Sequence, residues 1–187
     1  CEFCKEIDNG SRRVFYDAFD CIGMVSLGAF VRGYSLLLPV YHYKSFAYLT
    51  NFTVVSLFFE KLSQKYGDIV IAEHGTGFCD VGASCCEHAH LHFIPFHDFQ
   101  QIYTVYVLRG GKPIELQNYN ELTQHKGQAY MFLSNGKDKH YLWLNTKQFE
   151  RQFIRKAVAL CLDKKEFSDW REYQYFENMQ LTINDFV

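Results

Sequence analysis

Three histidines alternate with apolar residues in the sequence CEHAHLHFIP, residues 86–95. This alternation predicts a β-strand, in which successive side chains point to opposite faces, so His88, His90 and His92 share one face at a spacing of roughly 7 Å. The apolar residues between them share the other face and pack against the core. Imidazole titrates near neutral pH and is also a nucleophile, so one ring could attack phosphorus while its neighbours bind phosphate oxygens.

The same pattern has two other interpretations. Three histidines could lie by chance on a partly buried strand face and carry no chemistry. A His-x-His pair on a strand is also a zinc-binding arrangement, so a catalytic metal centre with three histidine ligands is the second alternative.

The cysteines bear on both metal binding and cellular location. There are seven of them, an odd number that disfavours a fully paired disulfide framework, and we therefore expect a reducing, cytoplasmic compartment. Cys1 and Cys4 stand at metal-ligand spacing. Two neighbouring cysteines can equally be a pair of unligated thiols, and the spacing alone does not decide between the two.

Residues 88–94 (HAHLHFI) match the signature of the histidine triad (HIT) family at every position. Further segments resemble the family in its order: Cys-x-x-Cys at 1–4, a glycine with an apolar strand and Pro-x-x-His at 33–42, and the loop that precedes the triad at 82–86. The resemblance covers about residues 1–97. It implies an enzyme that hydrolyses nucleotide conjugates at the α-phosphate through a covalent nucleotidyl-histidine intermediate.

The resemblance also implies a role for each residue of the site. His90, the middle histidine, is the nucleophile, and His92 binds phosphate oxygens. His88 orients His90 or binds zinc. The loop before the triad, with Ser84 and Cys85, binds phosphate through its backbone N–H groups.

Zinc-containing branches of the family use a cysteine pair together with two histidines. The corresponding residues are Cys1, Cys4, His42 and His88. Two thiolates and two imidazoles form a closed tetrahedral site, which is structural because no coordination position stays open for water. The resemblance therefore implies a structural zinc ion, and the chemistry itself needs no metal.

Two departures from the family pattern concern the substrate and its leaving group more than His90. Ser84 and Cys85 replace the usual polar pair of the loop, and Gly33-Tyr34 replaces a Gly-His pair before the central strand. Two alternatives to hydrolysis stay open. One is a nucleotidyltransferase or phosphorylase of the same family, and the other is a nucleotide-binding module without catalysis.

The remaining patterns predict an α+β fold with a mainly antiparallel sheet. A HIT-like catalytic core over 1–100 and a C-terminal extension over 101–187 would pack as one compact domain. In the extension, the turn residues Asn135-Gly136 predict a hairpin between strands at 130–133 and 140–144. We further predict an extended segment at 102–108, a short helix at 119–125, and longer helices at 146–162 and from 170 to the end.

Composition limits the class of partner. Net charge is −2 with no block of like charges, and no apolar run reaches the ~20 residues that cross a bilayer. We therefore expect a small nucleotide or nucleotide conjugate as the partner, and neither nucleic acid nor a membrane. The sequence leaves a homodimer open.

Overall fold

A computed structural model describes residues 1–77, 88–164 and 169–186. Within these ranges the chain forms an eight-stranded sheet whose neighbouring strands are all antiparallel, with helices on both faces. The predicted α+β class is therefore confirmed. The strands are β1 (Val14–Ala18), β2 (Cys21–Val25), β3 (Ser35–Pro39), β4 (Ile69–Gly75), β5 (Leu91–Pro95), β6 (Ile114–Leu116), β7 (Tyr130–Ser134) and β8 (His140–Trp143).

The helices lie between and after these strands. The α-helices of the described ranges are α1 (Glu2–Asn9), α2 (Thr53–Tyr66), α3 (Phe99–Gly110), α4 (Phe153–Cys161) and α5 (Phe176–Asn184). Short 3-10 helices occupy Phe46–Tyr48, Tyr119–His125 and Thr146–Gln148. None of the helices in these ranges has the length and apolar character that crossing a bilayer requires.

Strand β5, which contains His92, lies in the interior of the sheet. The strand order is β1-β2-β3-β5-β4-β7-β8-β6, so β5 has β3 on one side and β4 on the other. In this register His92 stands opposite Leu36 of β3 and Ala72 of β4. Pairing on both sides fixes which face each residue of β5 presents, because a slip by one residue would exchange the two faces.

Apolar side chains cover both faces of the sheet. Leu91 and Phe93 of β5 are fully buried in one cluster with Phe58 and Leu62 of α2. The opposite face carries a second cluster, to which α3 and α4 contribute, with Ile94 as its member from β5. The histidines therefore belong to the face on which α3 and α4 pack.

The predicted hairpin is confirmed by the pairing of β7 with β8, and the short helix is confirmed at Tyr119–His125. The extended segment at 102–108 is wrong, because these residues lie in α3. The side chain of Asp98 caps that helix by accepting a hydrogen bond from the backbone N–H of Gln101 at 3.1 Å. The helix predicted at 146–162 is divided into a 3-10 turn and α4, and the last helix begins at Phe176.

The N-terminal and C-terminal parts share the sheet. Strand β4 of the predicted core, 1–100, pairs with β7 of the predicted extension, 101–187, from Ile71 opposite Ser134 to Gly75 opposite Tyr130. Strands β8 and β6 continue the sheet beyond β7.

Candidate active site

The three histidines lie at the beginning of β5 and just before it. The strand begins at Leu91, so His88 and His90 precede it, in contrast to the predicted strand. The alternation of faces nevertheless persists. Ala89 and Leu91 are buried in the cluster with α2, and the rings of His90 and His92 lie 4.8 Å apart, centre to centre.

The tautomer of His90 is set by the backbone. Its Nδ1 lies 2.8 Å from the carbonyl oxygen of His88. A carbonyl oxygen can only accept a hydrogen bond, so Nδ1 carries the proton and Nε2 carries the lone pair. Burial lowers the pKa of His90, while the bond to His88 and the charge of Glu73 oppose that shift. The ring is therefore neutral near pH 7 and presents a nucleophilic nitrogen at Nε2.

His92 is also held at Nδ1. This atom lies 2.8 Å from the phenolic oxygen of Tyr34, whose side chain is fully buried. Burial, followed by the charges of His90, Arg155 and His74, holds the pKa of His92 well below its ordinary value. His92 is therefore neutral near pH 7, so one of its ring nitrogens carries a proton and the other carries a lone pair.

A cavity of about 280 Å³ opens beside His90. Its apolar wall includes Phe3, whose ring centre lies 5.3 Å from that of His90, and Trp170. Its basic residues are Arg13, Arg155 and Arg171. A larger cavity of about 500 Å³ between α3 and α4 is lined by no histidine or cysteine, so we place the site at the smaller one.

The two acidic residues that line the cavity, Glu2 and Glu6, both form ion pairs. Glu6 forms an ion pair with Arg13, with Oε1 2.6 Å from Nη2, and Glu2 pairs with Lys5 at 3.0 Å. With Arg13 paired to Glu6, the remaining basic side chains of the cavity are Arg155 and Arg171, and together with the imidazole of His90 they suit an anionic ligand with an apolar part. The structure thus brings the imidazole of His90 and positive charge to one cavity.

A second group of side chains surrounds His88, the first histidine of the triad. The ligand atoms of Cys1, Cys4, His42 and His88 all lie within 4.8 Å of one another, so this group could hold a metal ion. These are the four ligands that the resemblance to the family implies. No other cluster of this kind, with three or more such side chains, occurs in 1–77, 88–164 and 169–186.

The separations within this group match those of a tetrahedral zinc site. With bonds of about 2.3 Å to sulfur and 2.0–2.1 Å to nitrogen, tetrahedral angles put sulfur about 3.6 Å from nitrogen. Nδ1 of His88 lies 3.7 Å from Sγ of Cys1 and 3.4 Å from Sγ of Cys4, and Nδ1 of His42 lies 3.2 Å from Sγ of Cys4. The donor atoms are thus already spaced for a metal.

The ring of His88 is oriented for metal binding. Its Nε2 donates to the carbonyl oxygen of Pro39 at 2.8 Å, which leaves the lone pair on Nδ1, directed at the two thiols. Helix α1 begins at Glu2, so Cys1 and Cys4 are one helical turn apart and on the same side. Folding of Glu2–Asn9 as a helix, which the sequence did not predict, therefore assembles half of the ligand set.

Glu73 of β4 is a buried carboxyl close to the triad. It is 1% exposed, and its Oε1 accepts from the backbone N–H of Phe46 at 2.7 Å. Its Oε2 accepts from the hydroxyl of Tyr130. Burial raises the pKa of Glu73 to about 7, while the two hydrogen bonds and the charge of His90 oppose the shift.

This carboxyl predicts a pH dependence of stability. Its pKa is about 7 in the folded chain and 4.5 for an ordinary glutamate, so between these values the folded state retains a proton that the unfolded state has lost. The free energy of unfolding should therefore fall by about 3 kcal/mol as pH rises from 4.5 to 7. Glu73→Gln keeps an acceptor and a donor but cannot ionise, so urea titrations should show a smaller decline for that variant. Equal pH slopes for both proteins would contradict the prediction.

Some predicted residues cannot be placed. Ser84 and Cys85, the predicted phosphate-binding residues, lie outside the described residues. Conversely, sequence reasoning did not identify Arg155 as a part of the site, and it noted Tyr34 only as a departure from the family pattern. No local sequence pattern identifies Arg155 as a site residue, because its contacts at the site are with residues more than 120 positions earlier in the chain.

Comparisons with known proteins give structural matches only. No family model matches the sequence, and the search of curated proteins gives no match. A HIT family protein from Bacillus anthracis is 22% identical, with a TM-score of 0.41 over 52% of this chain and 74% of that chain. A hypothetical histidine triad nucleotide-binding protein from Sulfolobus tokodaii is 15% identical, with a TM-score of 0.39 over 52% and 70%.

A third match is a Hit-like protein from Bartonella henselae described as involved in cell-cycle regulation. It is 16% identical, with a TM-score of 0.42 over 51% of this chain and 79% of that chain. Over about half of its length, the chain is thus similar in structure to proteins described as HIT or histidine triad proteins.

Proposed function

We propose that this protein hydrolyses nucleotide conjugates and that Nε2 of His90 attacks the α-phosphate. The observation that carries the proposal is the 2.8 Å hydrogen bond from Nδ1 of His90 to the carbonyl oxygen of His88. It leaves the lone pair on Nε2 of a residue that lines the cavity. The resemblance of residues 88–94 to the histidine triad signature supplies the substrate class.

The reaction would proceed in two displacements. The lone pair of Nε2 forms a bond to phosphorus, and the bond from phosphorus to the leaving group breaks with its electron pair. Water then attacks the phosphoramidate, the P–N bond breaks, and the lone pair returns to Nε2. One proton of this water stays on the released phosphate, and the other passes to solvent, which supplies a proton to a basic leaving group such as an amine.

Neighbouring groups would stabilise the negative charge that develops at phosphorus. A neutral His92 whose Nε2 bears a proton would donate to a phosphate oxygen. The basic side chains of the cavity add positive charge close to the site, where partial burial strengthens electrostatic interactions. Neither displacement requires a metal ion.

The candidate metal site would support the reaction without taking part in it. We propose that Cys1, Cys4, His42 and His88 hold a zinc ion in a closed, four-ligand structural site. Such an ion would hold the ring of His88, whose carbonyl oxygen accepts the Nδ1 proton of His90. It would thereby keep α1 against the triad and fix the orientation of the nucleophile.

A three-histidine metal centre has less support. The Nδ1 atoms of the histidines have three different partners: a cysteine pair for His88, a carbonyl oxygen for His90 and a phenol for His92. A common metal could bind Nε2 of His90 and of His92, but Nε2 of His88 is bonded to the carbonyl oxygen of Pro39 and its Nδ1 faces the two thiols, so His88 would have to give up one of these contacts to join them. Separate partners fit separate roles better.

Detection of the covalent intermediate tests the proposed function. The protein is mixed with a panel of nucleotide conjugates with amine, phosphate, sulfate or nucleotide leaving groups, and quenched samples are analysed by intact mass. We expect the mass of one nucleotidyl group on the chain, mapped to His90 by peptide analysis. Turnover of a conjugate without any adduct at His90 under rapid quench would contradict the covalent route.

His92 should affect catalysis without affecting the metal. His92→Ala removes one phosphate donor, and we expect kcat to fall by roughly 10²–10³-fold with an unchanged zinc content. His92→Gln retains a side-chain donor and should lose less activity. Zinc loss in His92→Ala, measured on the purified variant by elemental analysis, would show that the triad and the metal site are not separate.

A further inference from the structure

Arg155 of α4 reaches the histidine face of the sheet. Its side chain is 3% exposed, and its Cζ atom lies 5.2 Å from the ring centres of both Phe30 and Tyr34. Nη2 donates to the carbonyl oxygen of Gly28 at 2.5 Å, and Nη1 donates to that of Leu27 at 3.3 Å. A buried cation is thus fixed against the Tyr34 ring.

Gly28 permits this approach. Its φ of +65° favours glycine, and a Cβ atom there would lie 2.8 Å from Nη2 of Arg155 and 2.5 Å from Cβ of Trp170. Any side chain at this position would therefore push the guanidinium or the 170 segment away. Glycine at position 28 therefore allows the backbone to take this conformation and leaves room for the guanidinium of Arg155.

The bond between Tyr34 and His92 admits two arrangements of protons. Either the phenol donates to Nδ1 of His92, and the ring carries its proton on Nε2, or Nδ1 carries the proton and donates to the phenolic oxygen. Only the first arrangement gives His92 an Nε2–H donor while the ring stays neutral. The separation of 2.8 Å suits both.

The guanidinium of Arg155 favours the first arrangement. A cation over an aromatic face is attracted by the π electrons of the ring and draws electron density towards itself. The phenolic oxygen then becomes a poorer acceptor and the O–H a better donor. The same positive charge disfavours a second proton on His92.

We propose that Arg155 and Tyr34 are positioning residues that hold His92 as a neutral imidazole with its proton on Nε2. The two catalytic rings would then be opposite tautomers. His90 carries its proton on Nδ1 and attacks with Nε2, whereas His92 carries its proton on Nε2 and donates it in a hydrogen bond to phosphate. The kinetic consequence rests on the proposed function, but the tautomer of His92 does not.

The tautomer is measured on the protein without substrate. Long-range proton–nitrogen correlation spectra of ¹⁵N-histidine-labelled protein distinguish Nδ1–H from Nε2–H rings, and the His92 signals are assigned by their loss in His92→Gln. We expect the Nε2–H form in the wild type and a mixture with Nδ1–H in Tyr34→Phe. An Nδ1–H ring in the wild type, or an unchanged tautomer in Tyr34→Phe, would overturn the proposal.

Tyr106→Phe is the matched control. Tyr106 is fully buried in the same core cluster, and its hydroxyl has no hydrogen-bond partner among the described residues. This variant loses the same atom as Tyr34→Phe, so it should keep the His92 tautomer and the activity. A tautomer change in Tyr106→Phe as large as that in Tyr34→Phe would indicate a general loosening of the core and would overturn the proposal.

The kinetic arm separates this inference from the proposed function. Tyr34→Phe should lower kcat about tenfold with little change in KM, because the lost donor acts in the transition state. Arg155→Lys keeps the cation and should retain the Nε2–H form, whereas Arg155→Met should give the mixed form. If an adduct forms at His90 and Tyr34→Phe keeps full kcat, only this inference fails. If no nucleotide conjugate reacts, the proposed function fails, and the spectra still decide the tautomer.

Discussion

Replacement of His90 by asparagine should lower kcat by a factor on the order of 10⁴, the largest effect that we expect of any single substitution. The reason is that the covalent route disappears with the only ring nitrogen that carries it. Asparagine still occupies the space beside Phe3, so a nucleotide should bind with a similar dissociation constant. Steady-state kinetics and calorimetric titration with the same conjugate separate the two effects.

His125→Asn is a suitable control for this substitution. His125 is a partly buried histidine at the end of a 3-10 helix and does not line the cavity. Its replacement should leave kcat unchanged and should not reduce adduct formation. A His90→Asn protein that retains a tenth or more of the wild-type kcat would refute the assignment of the nucleophile.

Cys4→Ser and His88→Ala should both release the metal and destabilise the fold. If the free zinc concentration exceeds the dissociation constant a thousandfold, binding adds about 4 kcal/mol to the free energy of unfolding, and most of this is lost with one ligand. Activity should fall as well, because the carbonyl of His88 no longer positions His90. Elemental analysis and urea titration of the purified variants measure both quantities.

Cys161→Ser tests whether these effects are specific. Cys161 is a partly buried cysteine at the end of α4, outside the metal group, so its variant should keep the zinc content of the wild type. Wild-type protein that holds no zinc after purification in zinc-supplemented medium, and is as stable with a chelator as without, would show Cys1 and Cys4 to be plain thiols.

The part of the site that is local in sequence could be predicted. The alternation around His90 determines which side chains share a face, whether the strand begins at 88 or at Leu91. The spacing of Cys1 and Cys4 fits a ligand pair in a helical turn as well as in a loop. In each case the relative position of the side chains depends on residues that are close in sequence, so it could be predicted without knowing which distant segments pack together.

Residues that act through tertiary contacts could not be predicted in this way. Tyr34 and Arg155 meet because α4 packs on the sheet, and no spacing between positions 34 and 155 encodes that contact. The helical structure of α3 could not be predicted from local sequence either. Its β-branched and aromatic residues favour a strand by propensity, but the cap at Asp98 and packing against α4 make the segment helical.

The pairing of β4 with β7 has a consequence for the order in which the chain can fold during synthesis. Strand β5 pairs with β3 and β4, which both precede it, so the histidine segment meets its partners as soon as it is made. The other edge of β4 pairs with Tyr130–Ser134, more than fifty residues after Gly75. Until that hairpin emerges from the ribosome, the unpaired N–H and C=O groups at this edge can bind other nascent chains. The C-terminal part therefore covers an edge of the strands that surround the histidines as well as contributing Arg155 to the cavity.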